Sequence, residues 1–371
     1  MLSKDRSKSV VCYIYLKTNF LNVGDALINK ELLKILTEFS DVVVDVSGAP
    51  TAFVDSLSIN ELPNVAVRRM GPFRLYMSMV RDKMLGKRVV YVLMPGGNRG
   101  EKSFALYLLN VLYNGYLAIM RISGVRLVQF GVSFEHLGPR YVKILRGRSK
   151  FIDAIFVRDQ MSLQYATKLG IKIAGLMPDL AFNLNFDRLG FASRTDVVPT
   201  PARIALSFRT DGKHASEEEV TLFVHAVKKR YPKNPLRFVS QVKSDARFMR
   251  QLADRFGADG DGDVDFMEIV NDPYDFRTVY ADCSIIFSNR LHALLMAMAS
   301  GCIPFAVLND ESGEKVRGVF QEIRLEGNVL CVSDELSMID MRESIPQESV
   351  KIVEASKQML RSVISLAVLR S

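Results

Sequence analysis

The stretch from residue 283 to residue 307 constrains the fold more than any other, because it reads as strand, helix and strand in direct succession. The apolar residues 284–287 are typical of a buried parallel strand, and residues 293–299 are strong helix formers. Gly301 suits the end of that helix, and residues 303–308 are again strand-like. The pattern predicts a parallel sheet with helical connections.

Two ionisable residues fall where this helix starts. Ser288 or Asn289 can cap the helix, which puts Arg290 and His292 in its first turn, at the carboxyl end of a strand. Free backbone N–H groups attract anions there, arginine binds phosphate or carboxylate, and histidine side chains exchange protons near neutral pH. We interpret the pattern as an anion site with proton transfer. The alternative is that Arg290 pairs with a local carboxylate and His292 only caps the turn.

Strand-like and helix-like segments alternate along the whole chain. In the first half we predict strands at 10–16, 41–46, 89–94, 125–130 and 154–158, with helices at 26–39, 104–122 and 160–169. In the second half we predict strands at 203–208, 236–242, 264–270, 284–287, 303–308 and 328–332, with helices at 217–231, 245–256 and 349–369. This rhythm predicts an α/β fold with two doubly wound, mostly parallel sheets.

A polar, proline-containing passage separates the two halves and is predicted to be a linker. The expected organisation is a Rossmann-like domain at 1–186, a linker at 187–202, a second Rossmann-like domain at 203–345 and a C-terminal helix at 346–371. That final helix can cross back to pack on the first domain. Two such domains resemble the GT-B architecture of glycosyltransferases, in which a central interdomain cleft holds the substrates.

The composition fits a globular protein of two domains, with 371 residues, 48% apolar and 24% charged. We expect no transmembrane helix, and the N-terminal apolar segment is too short for a secretory signal. The four cysteines form no CxxC pair, so buried free thiols in a reducing cytoplasm are expected rather than a zinc site.

The net charge of +8 indicates an anionic partner. Basic residues cluster at 68–88, interleaved with methionine and leucine, and again at 140–150. The segment 68–88 can lie on an acidic membrane surface, or it can pack its apolar face on its own domain. A nucleic-acid partner is not expected, because the chain carries no recognisable motif for one.

A short polar segment lies between the first predicted strand and the first predicted helix. Gly24 allows close backbone approach, and Asp25 stands near the helix start. Asn22 and Asp25 are therefore candidates for contacts to a sugar hydroxyl or to a phosphate region. The alternative is that Asp25 is simply the N-cap of the helix.

Two further strands are followed by ligand-binding residue types. Gly96, Gly97 and Asn98 come after the strand 89–94, where a glycine pair lets a ligand lie against the main chain; a plain tight turn is the alternative. A loop is expected at 130–137. The polar candidates at its mouth are Gln129, Ser133, Glu135 and His136. Glu135 and His136 can act as a base or as hydroxyl contacts, and a surface loop without chemistry is the alternative.

Arg209 is expected to end the first strand of the second half. A second arginine there complements Arg290, as a doubly charged anion requires. An interdomain salt bridge is the alternative role for Arg209.

Taken together, these motifs resemble the polysaccharide pyruvyl transferase family over most of the chain. The motifs are Asn22-Val-Gly-Asp25, Pro95-Gly-Gly97, Gln129 with Gly138-Pro139, Val157-Arg-Asp159 with Ser162, Pro178-Asp-Leu-Ala-Phe182, Ser207-Phe-Arg209, and Ser288-Asn-Arg-Leu-His292 ahead of Ala297 and Gly301-Cys-Ile-Pro304. The Arg-Leu-His block and the order of the set are the specific features.

The resemblance implies transfer of pyruvate from phosphoenolpyruvate onto two sugar hydroxyls, which gives a cyclic ketal. It implies that Arg290 and His292 are catalytic and that the donor is bound by Arg209, Arg290, Leu291, His292 and Lys315. The acceptor is expected at Asn22, Asp25, Gly96, Gly97, Asn98, Gln129, Glu135 and His136. We expect no metal and no cofactor, and a cytoplasmic protein, peripheral at the inner membrane face if its acceptor is a lipid-linked oligosaccharide.

Two other functions stay open at this point. A GT-B glycosyltransferase that uses a nucleotide sugar would place a diphosphate at the same helix terminus. A non-catalytic scaffold of a polysaccharide assembly complex would use the basic segments to dock on a membrane or a partner.

Overall fold

The structure is a computed structural model that describes residues 9–99, 103–135, 137–189, 201–210, 215–258, 263–270, 272–309 and 313–370. Its contacts divide the chain into two compact units. The first comprises Met1–Phe20, Ile28–Leu180 and Gln358–Ser371, and the second comprises Leu21–Leu27 and Ala181–Lys357. The core of the predicted linker, residues 190–200, lies outside the described residues.

The first unit is built on an eight-stranded sheet in the order β3-β2-β1-β4-β6-β7-β8, with β5 paired to β6. Its strands are β1 (Val10–Tyr15), β2 (Asp41–Asp45), β3 (Val65–Arg68), β4 (Arg88–Leu93), β5 (Gly96–Arg99), β6 (Arg126–Glu135), β7 (Ala154–Val157) and β8 (Gly175–Leu176). The helices of the first half are α1 (Val23–Thr37), α2 (Thr51–Ser56), α3 (Gly71–Met84), α4 (Phe104–Ile122), α5 (Pro139–Ser149) and α6 (Gln160–Lys168). The ladders of this sheet are parallel.

One hydrophobic cluster joins α3, α4, α5 and α6 to the same sheet. Leu75 and Met79 of α3 and Leu117 and Met120 of α4 pack there with apolar side chains of β1 and β4. Parallel strands buried by helices need such continuous apolar runs, which explains the valine-rich sequence of β4.

The second unit contains a six-stranded parallel sheet in the order β11-β10-β9-β12-β13-β14. Its strands are β9 (Arg203–Ser207), β10 (Leu236–Ser240), β11 (Val264–Glu268), β12 (Cys283–Ser288), β13 (Ile303–Leu308) and β14 (Val329–Cys331). The helices of the second half are α7 (Glu217–Arg230), α8 (Lys243–Ala258), α9 (Phe276–Val279), α10 (Leu291–Ala299), α11 (Glu314–Glu322) and α12 (Gln347–Leu369). The predicted α/β class with two doubly wound parallel sheets is therefore confirmed.

The structure corrects the prediction for residues 96–98 and 130–137. Gly96, Gly97 and Asn98 belong to strand β5, and β6 continues through Glu135, so the predicted loop is wrong. The backbones of the two segments pair with each other, from Gly96 with Val132 to Arg99 with Glu135. This non-local ladder satisfies backbone groups that a loop would leave to water.

Three element boundaries also differ from the prediction. Helix α1 begins at Val23, not at residue 26, because Asn22 supplies its N-terminal cap. The basic stretch 140–150 is mostly helix α5, and β9 ends at Ser207, two residues before Arg209. Helix α10 begins at Leu291, so Arg290 is its N-cap residue and only His292 lies within its first turn.

Candidate active site

The sheet of the second unit has a topological switch point between β9 and β12. From β9 the chain adds β10 and β11 on one side and then returns to add β12 on the other. Open α/β sheets bind ligands outside the carboxyl ends of the strands at such a point, where the two following loops diverge. Ser207 and Ser288 are paired in register, and Arg209 and Arg290 each follow two residues later. The register therefore brings the backbones of the two arginines to one crevice.

The buried Asn289 side chain fixes the loop that carries Arg209. Its Oδ1 accepts a hydrogen bond from the Arg209 N–H at 2.7 Å, and its Nδ2 donates to the Arg209 carbonyl at 2.8 Å. Ser288 adds a second tie, since its hydroxyl donates to the Ser207 carbonyl and accepts from the Arg290 N–H at 3.0 Å. The sequence predicts Ser288 or Asn289 as a helix cap, whereas both side chains bind the neighbouring loop.

The Arg290 side chain forms an ion pair with Asp245, through its Nη2 and the carboxylate Oδ2. Asp245 is buried in the first turn of α8, just past the end of β10. The predicted alternative was a local carboxylate partner for Arg290. Arg290 does have a carboxylate partner, but Asp245 is distant in sequence. A guanidinium has five N–H donors in a rigid fork, so a carboxylate contact at Nη2 orients the whole group.

His292 packs against the backbone of Gly24. A Cβ added to Gly24 would overlap the imidazole Nδ1 and would lie 2.8 Å from Cγ and 2.9 Å from Cβ of His292. Real side chains do not approach so closely, so this contact requires glycine. The half-buried histidine is thereby supported by a segment that precedes it by more than 260 residues.

The segment around Gly24 belongs to the second unit, where main-chain bonds join it to the residues that follow β10. The Val23 N–H donates to the Gln241 carbonyl at 3.2 Å, and Asn22 forms an antiparallel bridge with Val242. The Asn22 side chain accepts from the Gly24 N–H at 3.0 Å, which makes Asn22 the cap of α1. Asp25, which we considered as that cap, lies in the first turn of the helix instead.

The remaining predicted donor residues flank the same sheet edge. Leu291 is buried as the first residue of α10, and Lys315 is half-buried near the start of α11, which follows β13. Because β13 neighbours β12, Lys315 follows the next strand along from Arg290. The carboxylates Asp310 and Glu311, considered for a nucleotide sugar, lie outside the described residues.

The other predicted acceptor residues belong to the first unit, on β5 and β6. Gly96, Gly97 and Asn98 face Val132 to Phe134 across the β5–β6 ladder, and Glu135 ends β6. The Gln129 side chain donates to the Met94 carbonyl at 3.2 Å, which gives it a structural bond. His136 lies outside the described residues.

Several family-like motif residues of the first unit form buried polar networks. Arg158 donates to Asp179 at 2.7 Å and to the Ser133 hydroxyl at 3.3 Å. Asp159 caps α6 by accepting from the N–H and the hydroxyl of Ser162 at 2.6 and 2.8 Å. Buried charges need such partners, so these residues hold β6, β7 and α6 together.

The cysteines carry no sign of reactivity. Cys12, Cys283 and Cys302 are buried free thiols, and Cys331 is a partly exposed free thiol. Burial raises the pKa of Cys12 to about 12 and raises the pKa of Cys283 well above its ordinary value, which disfavours the nucleophilic thiolate. Within the described ranges, no group of three or more His, Cys, Asp and Glu side chains is arranged to hold a metal ion.

The two parallel sheets give the protein a GT-B-like α/β fold. It resembles UDP-GlcNAc 2-epimerase from Neisseria meningitidis bound to UDP-GlcNAc, with 10% identity over 98% of this chain and 100% of that chain and a TM-score of 0.56. It also resembles Medicago truncatula UGT71G1 complexed with UDP-glucose, with 14% identity over 100% of this chain and 98% of that chain and a TM-score of 0.51. At these identities the likeness shows the fold alone.

The family is shown by a direct sequence match. The family model for polysaccharide pyruvyl transferase matches residues 22–311, and the chain belongs to that family. The matched region begins at Asn22 and includes the Arg209 loop and the block from Ser288 to His292. A search of curated proteins finds no match to this chain.

The contact between Gly24 and His292 predicts that a single methyl group will move the imidazole. With only four histidines in the chain, labelled ring signals of His292 can be assigned by substitution. We expect Gly24→Ala to shift these signals strongly. Gly115→Ala is the matched control, because Gly115 is also helical and a Cβ there meets nothing within 4 Å. Unchanged His292 signals in Gly24→Ala would contradict the contact.

The Asn289 clamp predicts a stability cost for its removal. Asn289→Ala leaves the N–H and C=O of Arg209 without these partners, and we expect a loss of about 2 kcal/mol in the free energy of unfolding. Asn185→Ala is the control, since that exposed side chain accepts one bond from the Asp187 N–H, and we expect about 0.5 kcal/mol or less. Chemical unfolding of both variants checks the difference; equal effects would mean that the clamp contributes nothing.

Proposed function

We propose that this protein transfers the pyruvyl group of phosphoenolpyruvate onto two hydroxyls of one sugar, giving a pyruvate ketal and releasing phosphate. The observation that carries the proposal is the register of β9 and β12, which puts Arg209 and Arg290 at the switch point of a sheet in a chain of this family. Helix α10 begins directly beyond Arg290, and the N-terminus of a helix favours anions.

Phosphoenolpyruvate is a compact donor with two anionic groups, a phosphate and a carboxylate. Arginine recognises either group with two parallel hydrogen bonds, so two arginines and a helix terminus suit the donor well. In the proposed complex Arg209 binds one anionic group and Arg290 the other. Leu291 packs beneath the site, and Lys315 adds charge from the adjacent helix.

The reaction requires one proton at the methylene carbon of the enol. Its addition creates an oxocarbenium-like centre at C2, which the first sugar hydroxyl attacks; the second hydroxyl then replaces the phosphate. The two hydroxyls lose two protons, while the new methyl group and the departing phosphate take up one each. We assign His292 the delivery of a proton to the carbon or to the leaving phosphate, and Arg290 the stabilisation of negative charge on that phosphate.

Asp245 and Gly24 act in this proposal as positioning residues. Asp245 holds the Arg290 guanidinium by its ion pair, and Gly24 packs against His292 at its Nδ1, Cγ and Cβ atoms. Groups held in place before the substrate arrives cost little reorganisation during the reaction. Asp245 and Gly24 belong to helices other than α10. The side chains of Arg290 and His292 are therefore each positioned by a different element.

For the acceptor we propose the loops and strand ends of the first half of the chain. Among these candidates Asp25 adjoins the contact with His292, because it follows Gly24 directly in the chain. Gly96, Gly97, Asn98, Gln129, Glu135 and His136 are proposed for the rest of the sugar. The acceptor class proposed is a polysaccharide precursor, including lipid-linked oligosaccharides on the cytoplasmic side of a membrane.

Substitution of Arg209, Arg290 and His292 tests the mechanism. We expect His292→Ala and Arg290→Ala each to abolish turnover, measured as phosphate release from phosphoenolpyruvate with a sugar acceptor. Arg209→Ala should mainly raise the KM for the donor, since the other groups still perform the chemistry. Arg255→Ala, at the far end of α8, is the control and should behave as wild type. Activity near wild type in either of the first two variants would rule the mechanism out.

A glycosyltransferase that uses a nucleotide sugar is the second candidate, because the similar folds named above bind UDP-GlcNAc and UDP-glucose. Thermal unfolding separates the two functions, since a ligand that binds the native state raises the Tm. We expect phosphoenolpyruvate to raise the Tm of the wild type and not that of Arg209→Ala. A rise only with uridine or guanosine sugars would favour the glycosyltransferase. No response to any donor would favour a non-catalytic scaffold.

A further inference from the structure

Helix α4 of the first unit has its apolar side turned to solvent. Leu106 and Leu109 are exposed on another side of Phe104–Ile122, and six further exposed apolar residues share one helix face by their spacing. These residues are 44–86% exposed: Phe104, Leu108, Val111, Leu112, Ile119 and Ile122. Contiguous exposed apolar surface of this kind marks an interaction site in a folded protein.

Two polar side chains of α4, Asn110 and Asn114, face helix α5. Arg148 of α5 donates to the Asn110 side chain at 2.7 Å and to the Asn114 side chain at 2.9 Å, and Asn114 donates to the Ile144 carbonyl at 3.0 Å. The Arg148 guanidinium also lies 5.0 Å from the centre of the Tyr113 ring. Rotating α4 about its axis to bury the exposed leucines would break these hydrogen bonds. The network therefore fixes the orientation of α4.

The apolar surface continues onto helix α3. The Tyr116 hydroxyl of α4 donates to the Pro72 carbonyl at 2.7 Å, which places the start of α3 beside α4. Phe73, next in the chain, is 73% exposed, and Met77 one turn further is 49% exposed. The alternative that segment 68–88 packs on its own domain holds for Leu75 and Met79 of the same helix, which lie in the core. The membrane alternative stays a prediction.

Positive charge surrounds this surface on the same three helices. Three basic residues lie on α3, one on α4 and four on α5, against one carboxylate on these helices. Two of the eight do not contribute to the rim, because Arg148 is buried against Asn110 and Asn114 and Arg121 pairs with Asp153 at 2.9 Å. The carboxylate on these helices, Asp82, is buried and accepts from Tyr13 at 2.9 Å and from Lys87 at 3.2 Å. The rim of the apolar surface is therefore cationic, as required for binding to anionic lipid headgroups.

We propose that α4 docks this protein on an anionic bilayer, lying in the membrane plane with its outward residues at the boundary of headgroups and acyl chains. Basic residues of α3 and α5, such as Arg74 and Lys143, bind lipid phosphates. Helix α4 is long and apolar enough to span a bilayer by length and composition. Its bonds to Arg148 and its packed residues Leu117 and Met120 instead hold it on the first unit.

A second copy of the chain is a less suitable occupant than lipid. In a two-fold dimer the same surface meets itself, so the cationic rims of both copies would be brought together. Lipid supplies both an apolar layer and the opposite charge. This inference does not depend on the proposed transfer reaction.

The absence of tryptophan from the chain permits a sharp test. Leu112→Trp, at a position 70% exposed, introduces a unique fluorophore on the outward face of α4. With vesicles of phosphatidylcholine containing about one quarter phosphatidylglycerol, we expect a blue shift of its emission and quenching by brominated lipid. Leu222→Trp is the matched control, since Leu222 is 63% exposed on α7, and its emission should not change.

A loss-of-binding series completes the test with the full-length protein. We expect Leu112→Glu combined with Ile119→Glu to reduce co-sedimentation with these vesicles at least about tenfold, and Leu222→Glu to leave it unchanged. Replacing Arg74 or Lys143 by Gln should weaken binding about fivefold each. No blue shift and no co-sedimentation by the wild type would overturn the proposal. A solution dimer that Leu112→Glu dissociates would also overturn it, in favour of a second copy.

Discussion

The amide of Asn289 bonds both backbone groups of Arg209, and this link joins the loops after β9 and β12 at the switch point of the sheet. Parallel strands bring successive loops to one edge, but they do not by themselves fix how those loops lie. Here a buried side chain makes the connection, and Ser288 reinforces it from the adjacent residue. The backbone positions of Arg209 and Arg290 thus depend on two neutral residues, Ser288 and Asn289. These two residues do not need to touch a substrate.

The same principle governs the orientation of the charged groups themselves. Arg290 is directed by Asp245 from α8, and His292 is supported by Gly24 at the start of α1. Each contact joins the start of α10 to an element far away in sequence. A small displacement of either element would break its contact. In the proposed function such a site would combine anion binding with an imidazole in a fixed place, which is what proton delivery to a small anionic substrate requires.

Much of the fold could be predicted because strands and helices each have a characteristic spacing of apolar residues, which is visible in the sequence. The strand, helix and strand around residues 283–307 and the long helices α4 and α12 were recognised from local patterns alone. Local patterns could not reveal that β6 continues to Glu135, since that extension depends on pairing with the glycines of β5. Nor could they reveal the contact of Gly24 with His292, which joins two distant segments.

Helix α4 is a second case in which the local sequence does not determine the structure. A helix that is apolar almost all round gives no indication of which face is buried, and its few polar residues are normally expected to face water. Only the position of Arg148 shows that Asn110 and Asn114 point inward. Residues 158, 159, 162 and 179 belong to the family-like motifs, and the structure shows them in buried networks that hold the first sheet.

The central claim is that the crevice after β9 and β12 binds a small dianion between two arginines and the start of α10. A crystal structure of the protein with phosphoenolpyruvate tests it most directly. The account predicts ordered donor with one anionic group on Arg209, the other on Arg290, and the methylene carbon facing His292. Donor bound at another place, with these three side chains not in contact with it, would contradict the account.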